Sequence, residues 1–196
     1  MKVLAGLLAV LCAGAVLWYL EPWADEGDTA ENARGKGERV EHGKTAEGQV
    51  DPEEFTGSAC RRMAGLAARL AEGEESAVRF LRAFGREAAG IRPPPRAYGD
   101  LARGGRDLIP GRGFLTRYDD GTEGQVRHFA GIAAASTFGG GSATRFISIF
   151  FRDDPIASPD GQLTEEGIEF AERVLGGDLT PAETPAWLLE NLCRRS

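Results

Sequence analysis

The stretch DDGTEGQVRHFAGIAAAS, residues 119–136, decides the fold that we expect, because it predicts a central helix. Thr122 and Gln125 match a capping box, and Glu123 suits the positive end of a helix dipole. We therefore expect a helix from about 123 to 137, ended by the GGGS run at 139–142. Small residues on every side of this helix would let its neighbours approach closely.

His128 lies about one turn into this helix and is the single histidine of residues 58–196. It is expected to be at least partly buried, and three roles stay open. The favoured role is structural, a histidine that satisfies a buried hydrogen bond. The second is a general acid or base oriented by Asp119, Asp120 or Glu123. The third is metal binding with scattered acidic residues, which is a weak signal, so we predict no metal and no cofactor.

An arginine-rich, irregular segment at 91–121 leads directly into the helix, with a short helical turn expected near Asp100–Arg103. We take Arg117, Tyr118 and Arg127 as candidate binding residues. All 18 basic residues of 59–196 are arginine. Arginine suits bidentate contacts to phosphate or carboxylate, but the favoured explanation of the bias is a genome rich in arginine codons.

Helical periodicity and start signals recur on both sides of this segment. They fall at 58–73, 75–90 and 165–177, with Thr164 expected as a cap, and after Thr180, where Pro181 and Glu183 complete a second capping box. The short apolar run at 143–153 fits helix or strand, and its helical neighbours favour helix. Residues 58–196 are thus predicted to form an all-α, compact, bundle-like domain of about six helices.

Residues 1–23, MKVLAGLLAVLCAGAVLWYLEPW, predict a signal-anchor helix. Residues 3–20 are uncharged and long enough to span a bilayer, Lys2 precedes them, and aromatic side chains follow them. We expect this segment to contact the cytoplasmic membrane and to leave the domain on the extracytoplasmic side. The alternative is a signal peptide cleaved near Ala15, which would make the domain secreted or periplasmic.

Residues 24–57 predict a disordered acidic linker, because apolar residues are nearly absent. Residues 24–58 hold ten acidic and four basic residues, so most of the net charge of −7 lies there. The domain itself is nearly neutral, and we expect no nucleic-acid partner.

Cys60 begins the domain and Cys193 ends it, which predicts a disulfide that closes the two ends of an exported domain. A loop of this length would stabilise the fold by roughly 5 kcal/mol. Two free buried thiols are the alternative.

The leading functional hypothesis is a binding or interaction module of the cell envelope, with an unidentified protein or ligand as partner. The alternative is an envelope hydrolase that uses His128 with Asp120 or Glu123. The sequence holds no nucleophile motif such as G-x-S-x-G. A fully enclosed His128 would favour a structural scaffold, and a groove lined by His128, Arg117, Tyr118 and a carboxylate would favour the enzyme.

Overall fold

The computed structural model describes residues 55–151 and 157–195, with side chains described except at 142, 143 and 145–151. The predicted membrane segment and almost all of the predicted linker lie outside these residues. Within them, no helix combines the length and apolar character needed to cross a membrane.

The described residues form six α-helices and no strand, which confirms the all-α prediction. They are α1 (Ala59–Ala71), α2 (Ala77–Ala89), α3 (Arg96–Ala102), α4 (Gln125–Phe151), α5 (Pro159–Gly176) and α6 (Thr184–Asn191). Single 3₁₀ turns lie at Thr116–Tyr118 and Pro181–Glu183. The expected short helical element of the 91–121 segment is α3, which begins earlier than predicted.

Helix α4 is the hub of the fold, since it packs most extensively against α5 and next against α2. The predicted break in the glycine run is present at Gly140, whose φ of 75° and ψ of 172° are not helical. The chain continues as helix to Phe151, so the apolar run at 143–153 is largely helical, as expected.

Small residues bring α2 and α4 together. A Cβ atom added to Gly85 would lie 2.3 Å from the Ala134 Cβ and 3.3 Å from the Ala130 carbonyl oxygen. The first distance leaves no room for a methyl group, and the second would require the Ala130 carbonyl to shift slightly. The predicted close packing of this helix is therefore confirmed at Gly85.

Aromatic side chains from four helices contact one another in the core. Phe170 of α5 lies 5.3 Å from Phe129 of α4, 5.1 Å from Trp187 of α6 and 6.1 Å from Phe84 of α2, measured between ring centroids. Such contacts add to the hydrophobic stabilisation from burial. On α2, Phe80 is fully buried and Val78 is 37% exposed.

The ends of the domain are joined by the predicted Cys60–Cys193 disulfide, whose Cα atoms lie 5.5 Å apart. Backbone hydrogen bonds support it on either side. The Leu115 N–H donates to the Leu192 carbonyl over 2.7 Å, and the Arg194 N–H donates to the Gly113 carbonyl over 2.8 Å. The irregular segment before α4 is therefore fixed against the C-terminus of the domain.

Candidate functional site

His128 is enclosed between α4 and α5, with 6% of the residue exposed. Its Nε2 lies 2.7 Å from the Thr164 Oγ1 on α5, and Thr164 is itself only 2% exposed. Which of the two groups donates depends on the histidine tautomer. The expected burial of His128 is confirmed, and the contact joins the two helices that share the largest interface.

Thr164 was predicted to cap a helix, and that prediction is wrong. Helix α5 begins at Pro159, and the Ser158 hydroxyl accepts from the Gly161 N–H over 3.0 Å. Thr164 is an interior residue whose hydroxyl meets a side chain 36 positions earlier in the chain. Local pattern could not distinguish the two positions, because Ser158-Pro159 and Thr164 both resemble helix starts.

Helix α4 begins at Gln125, two residues after the expected start near 123, so the prediction that Thr122 is its N-cap is wrong. The physical reason is Asp120, whose carboxylate accepts from the Thr122 N–H over 2.8 Å and from the Thr122 hydroxyl over 3.0 Å. It also accepts from the Gln125 side chain. Thr122 thus belongs to a turn around Asp120, and the Gly124 carbonyl accepts the first helical hydrogen bond, from the His128 N–H over 3.0 Å.

The three candidate carboxylates have different surroundings, and that of Asp119 lies 3.0 Å from the Arg194 guanidinium. Asp120 is occupied by the turn that precedes α4, and Glu123 is exposed in the same turn. Glu123 contributes its carbonyl, which accepts from the Gly111 N–H over 3.2 Å. None of the three is the group that contacts the His128 Nε2, which is bonded to Thr164.

Tyr118 is 1% exposed, and its hydroxyl donates to the Glu166 carboxylate over 2.6 Å. Burial, helped by this hydrogen bond to a carboxylate, raises the pKa of Tyr118 well above its ordinary value. The Arg117 guanidinium lies 4.6 Å from the centre of the Tyr118 ring, in a cation–π contact. Glu166 and Thr164 both lie on α5, two residues apart, so Tyr118 and His128 approach different faces of that helix.

Arg127 lies on α4, and its Nε is buried with no hydrogen-bond partner among the described residues. No described contact joins it to Arg117 or Tyr118. Of the three predicted binding residues, the described contacts therefore bring together only Arg117 and Tyr118. Within the described residues, no three His, Cys, Asp or Glu side chains come together in a way that could hold a metal ion.

Sequence reasoning missed a cavity of about 410 Å³ at the disulfide end of the domain. It is lined by Thr56, Gly57, Ser58, Arg61, Gly113, Arg194 and Arg195, and we call it the arginine pocket. One signal could have revealed it. Arg61 and Arg194 directly follow Cys60 and Cys193, so the predicted disulfide already placed the two arginines near each other.

The fold and this geometry define a small all-α domain closed by one disulfide, with an arginine-lined cavity beside that disulfide. Comparison with protein-family models, curated proteins and solved structures found no match for this chain.

Proposed function

We propose that this chain is a membrane-anchored binding module whose helical domain lies on the extracytoplasmic side. The Cys60–Cys193 disulfide carries the proposal, because disulfides form and persist in oxidising compartments. The apolar run of residues 3–20, preceded by Lys2, supports the same topology. The linker at 24–57 then separates the domain from the membrane surface.

The surroundings of His128 support binding over hydrolysis. A general acid or base must reach the proton that it transfers, either directly or through one water. His128 is enclosed, its Nε2 is bonded to a buried hydroxyl, and Asp120 is held by its own turn. These contacts favour a histidine that positions α4 against α5.

Topology is tested by fusing a reporter to the C-terminus of the full chain. Alkaline phosphatase is active only in an oxidising compartment, and green fluorescent protein exported through the general secretion route stays dark. We expect phosphatase activity without fluorescence, and fluorescence without phosphatase activity would refute the proposal. As a control, Leu7→Arg with Leu11→Arg should abolish export, since each arginine costs about 3 kcal/mol at the centre of a spanning helix.

The mature N-terminus distinguishes an anchor from a cleaved signal. Mass spectrometry of the membrane fraction should find a chain that retains residues 1–23. A chain that begins at Val16 would replace the anchor with a secreted or periplasmic domain.

A further inference from the structure

The arginine pocket brings together three guanidinium-bearing residues from the two ends of the domain. Arg61 lies in the first turn of α1, and Arg194 and Arg195 follow the last cysteine. The cysteines that precede Arg61 and Arg194 are 133 positions apart and bonded to each other. The cavity therefore exists because the fold and the disulfide assemble it.

Backbone hydrogen bonds and close packing fix the segments that line the pocket. The Gly113 carbonyl accepts from the Arg194 N–H over 2.8 Å, and the Ala59 N–H donates to the Arg112 carbonyl over 2.9 Å. Gly113 also packs directly on Ser58, so a Cβ there would lie 2.3 Å from the Ser58 Cβ. A site whose backbone is fixed in this way loses little freedom when a ligand binds.

Three arginines and no acidic residue are among the described residues that line the pocket. Arg194 is partly balanced by Asp119, whose carboxylate lies 3.0 Å away. Next to lining residues in the sequence, the side chains of Arg62 and Arg112 donate to the main-chain carbonyls of Pro110 and Gly121. A carbonyl partner satisfies a guanidinium without neutralising it.

We propose that the arginine pocket binds a phosphate-type oxyanion. Arginine presents a planar fork of donors that matches phosphate oxygens in pairs. A volume of about 410 Å³ suits a phosphate that carries a further chemical group, since ligand cavities generally begin near 300 Å³. The inference rests on the proposed function in that it names the ligand class of the binding module.

The position of the pocket admits two sources of phosphate. Thr56 and Gly57 line it, so it lies where the linker enters the domain. If residues 3–20 anchor the chain in a membrane, as proposed above, the phosphates of lipid headgroups are one source. A phosphate-bearing solute of the envelope would meet the same arginines.

Binding is tested with pyrophosphate as the probe, titrated by calorimetry into the full chain in a non-ionic detergent at low ionic strength. We expect saturable binding that weakens as salt is added. Arg195→Gln should weaken it about tenfold, and Arg61→Gln with Arg195→Gln about 100-fold, because each removes charge-assisted hydrogen bonds. Thermal unfolding of each variant establishes that the domain remains folded.

The matched control is Arg86→Gln with Arg173→Gln, which makes the same change in net charge on α2 and α5, away from the pocket. It should keep its affinity within about twofold if the guanidinium groups of the pocket, and not net charge, bind the probe. Absence of saturable binding, or equal weakening in the control, overturns the proposal.

The source of the phosphate is resolved by hydrogen–deuterium exchange of the full chain in lipid nanodiscs. If headgroups are the ligand, adding phosphatidylglycerol to phosphatidylcholine discs protects residues 56–63 and 191–195 without pyrophosphate. If a solute is the ligand, protection requires pyrophosphate in both lipids. If these residues are protected under neither condition, the proposal is wrong.

The two proposals fail separately. Pyrophosphate binding by a chain whose domain the reporters place in the cytoplasm would refute the membrane topology and leave the pocket standing. An extracytoplasmic domain that ignores pyrophosphate would refute the pocket alone.

Discussion

The α4–α5 interface and the disulfide end of the domain use polar side chains differently. At the interface, His128 and Thr164 are both buried and bonded to each other. At the disulfide end, Arg61, Arg194 and Arg195 line a cavity. The difference teaches that a lone histidine in a sequence need not indicate a binding site, because a side chain that is hydrogen-bonded within the core has little capacity left for a ligand.

The two regions are also stabilised differently. The interface depends on packing, with small residues at close approach and aromatic rings in contact. The disulfide end depends on a covalent bond and on backbone hydrogen bonds between distant segments. Changes in the first region should therefore affect stability alone, and changes in the second should affect stability and binding together.

Removing the disulfide should have the largest effect. Cys60→Ala with Cys193→Ala should lower the free energy of unfolding by about 2–5 kcal/mol, because the unfolded chain regains the entropy of an open loop. Urea unfolding measures the loss, and pyrophosphate affinity should fall with it.

Thiol labelling supplies the control for this first prediction. With Cys12→Ala in the background, the unfolded chain should label at neither remaining cysteine until a reductant is added. Cys12→Ala alone should leave the stability of the domain unchanged. Full labelling without reductant would contradict the disulfide.

Adding a methyl group where α2 meets α4 should lower the free energy of unfolding by less than removing the disulfide does. Gly85→Ala places a methyl group 2.3 Å from the Ala134 Cβ, and we expect a loss of about 3 kcal/mol in the free energy of unfolding. Gly131→Ala on α4 is the matched control, because its nearest contact is the Ala89 Cβ at 4.0 Å. That variant should be neutral or stabilising by up to about 1 kcal/mol. Equal losses in both would show that the helices do not meet at Gly85.

His128→Ala should lower the free energy of unfolding by about 2 kcal/mol, since it leaves the buried Thr164 hydroxyl without this partner. Thr164→Val removes the other half of the bond. In a double-mutant cycle the pair should show a coupling of about 1 kcal/mol. Pyrophosphate affinity should not change in folded His128→Ala protein. A loss of binding there with full stability would move the site to α4.

Tyr118→Phe should have the smallest effect, about 1 kcal/mol at neutral pH, through loss of the hydrogen bond to Glu166. The raised pKa of Tyr118 fixes the sign of the pH dependence. Because the folded pKa lies above the ordinary 10.0, the stabilisation is complete below that pH and falls as the pH rises above it. Urea unfolding between about pH 8 and pH 11 should show the wild type losing its advantage over Tyr118→Phe. A difference in the free energy of unfolding that does not change with pH would contradict the raised pKa of Tyr118.

The sequence was sufficient where a structural signal is local. Glu183 accepts from the Thr180 N–H over 2.8 Å, as its capping box predicts, although the first turn is 3₁₀ and α6 begins at Thr184. Gly90 and Gly177 follow the last residues of α2 and α5, at the ends of the predicted ranges 75–90 and 165–177. The disulfide followed from the position of the two cysteines at the ends of the domain.

It was insufficient where a side chain had several possible partners. Thr122 could cap a helix or join a turn, and the acceptor two residues earlier, Asp120, decided for the turn. Thr164 could cap or bond across the core, and tertiary packing decided for His128. The arginine pocket needed one more step, from a predicted disulfide to the residues beside each cysteine.

Hydrogen–deuterium exchange of the full chain in detergent, with and without pyrophosphate, tests most directly whether the disulfide end is the binding region. The account predicts protection confined to residues 56–63 and 191–195, and loss of that protection in Arg61→Gln with Arg195→Gln. Protection centred on residues 116–132, around Tyr118 and His128, would contradict it.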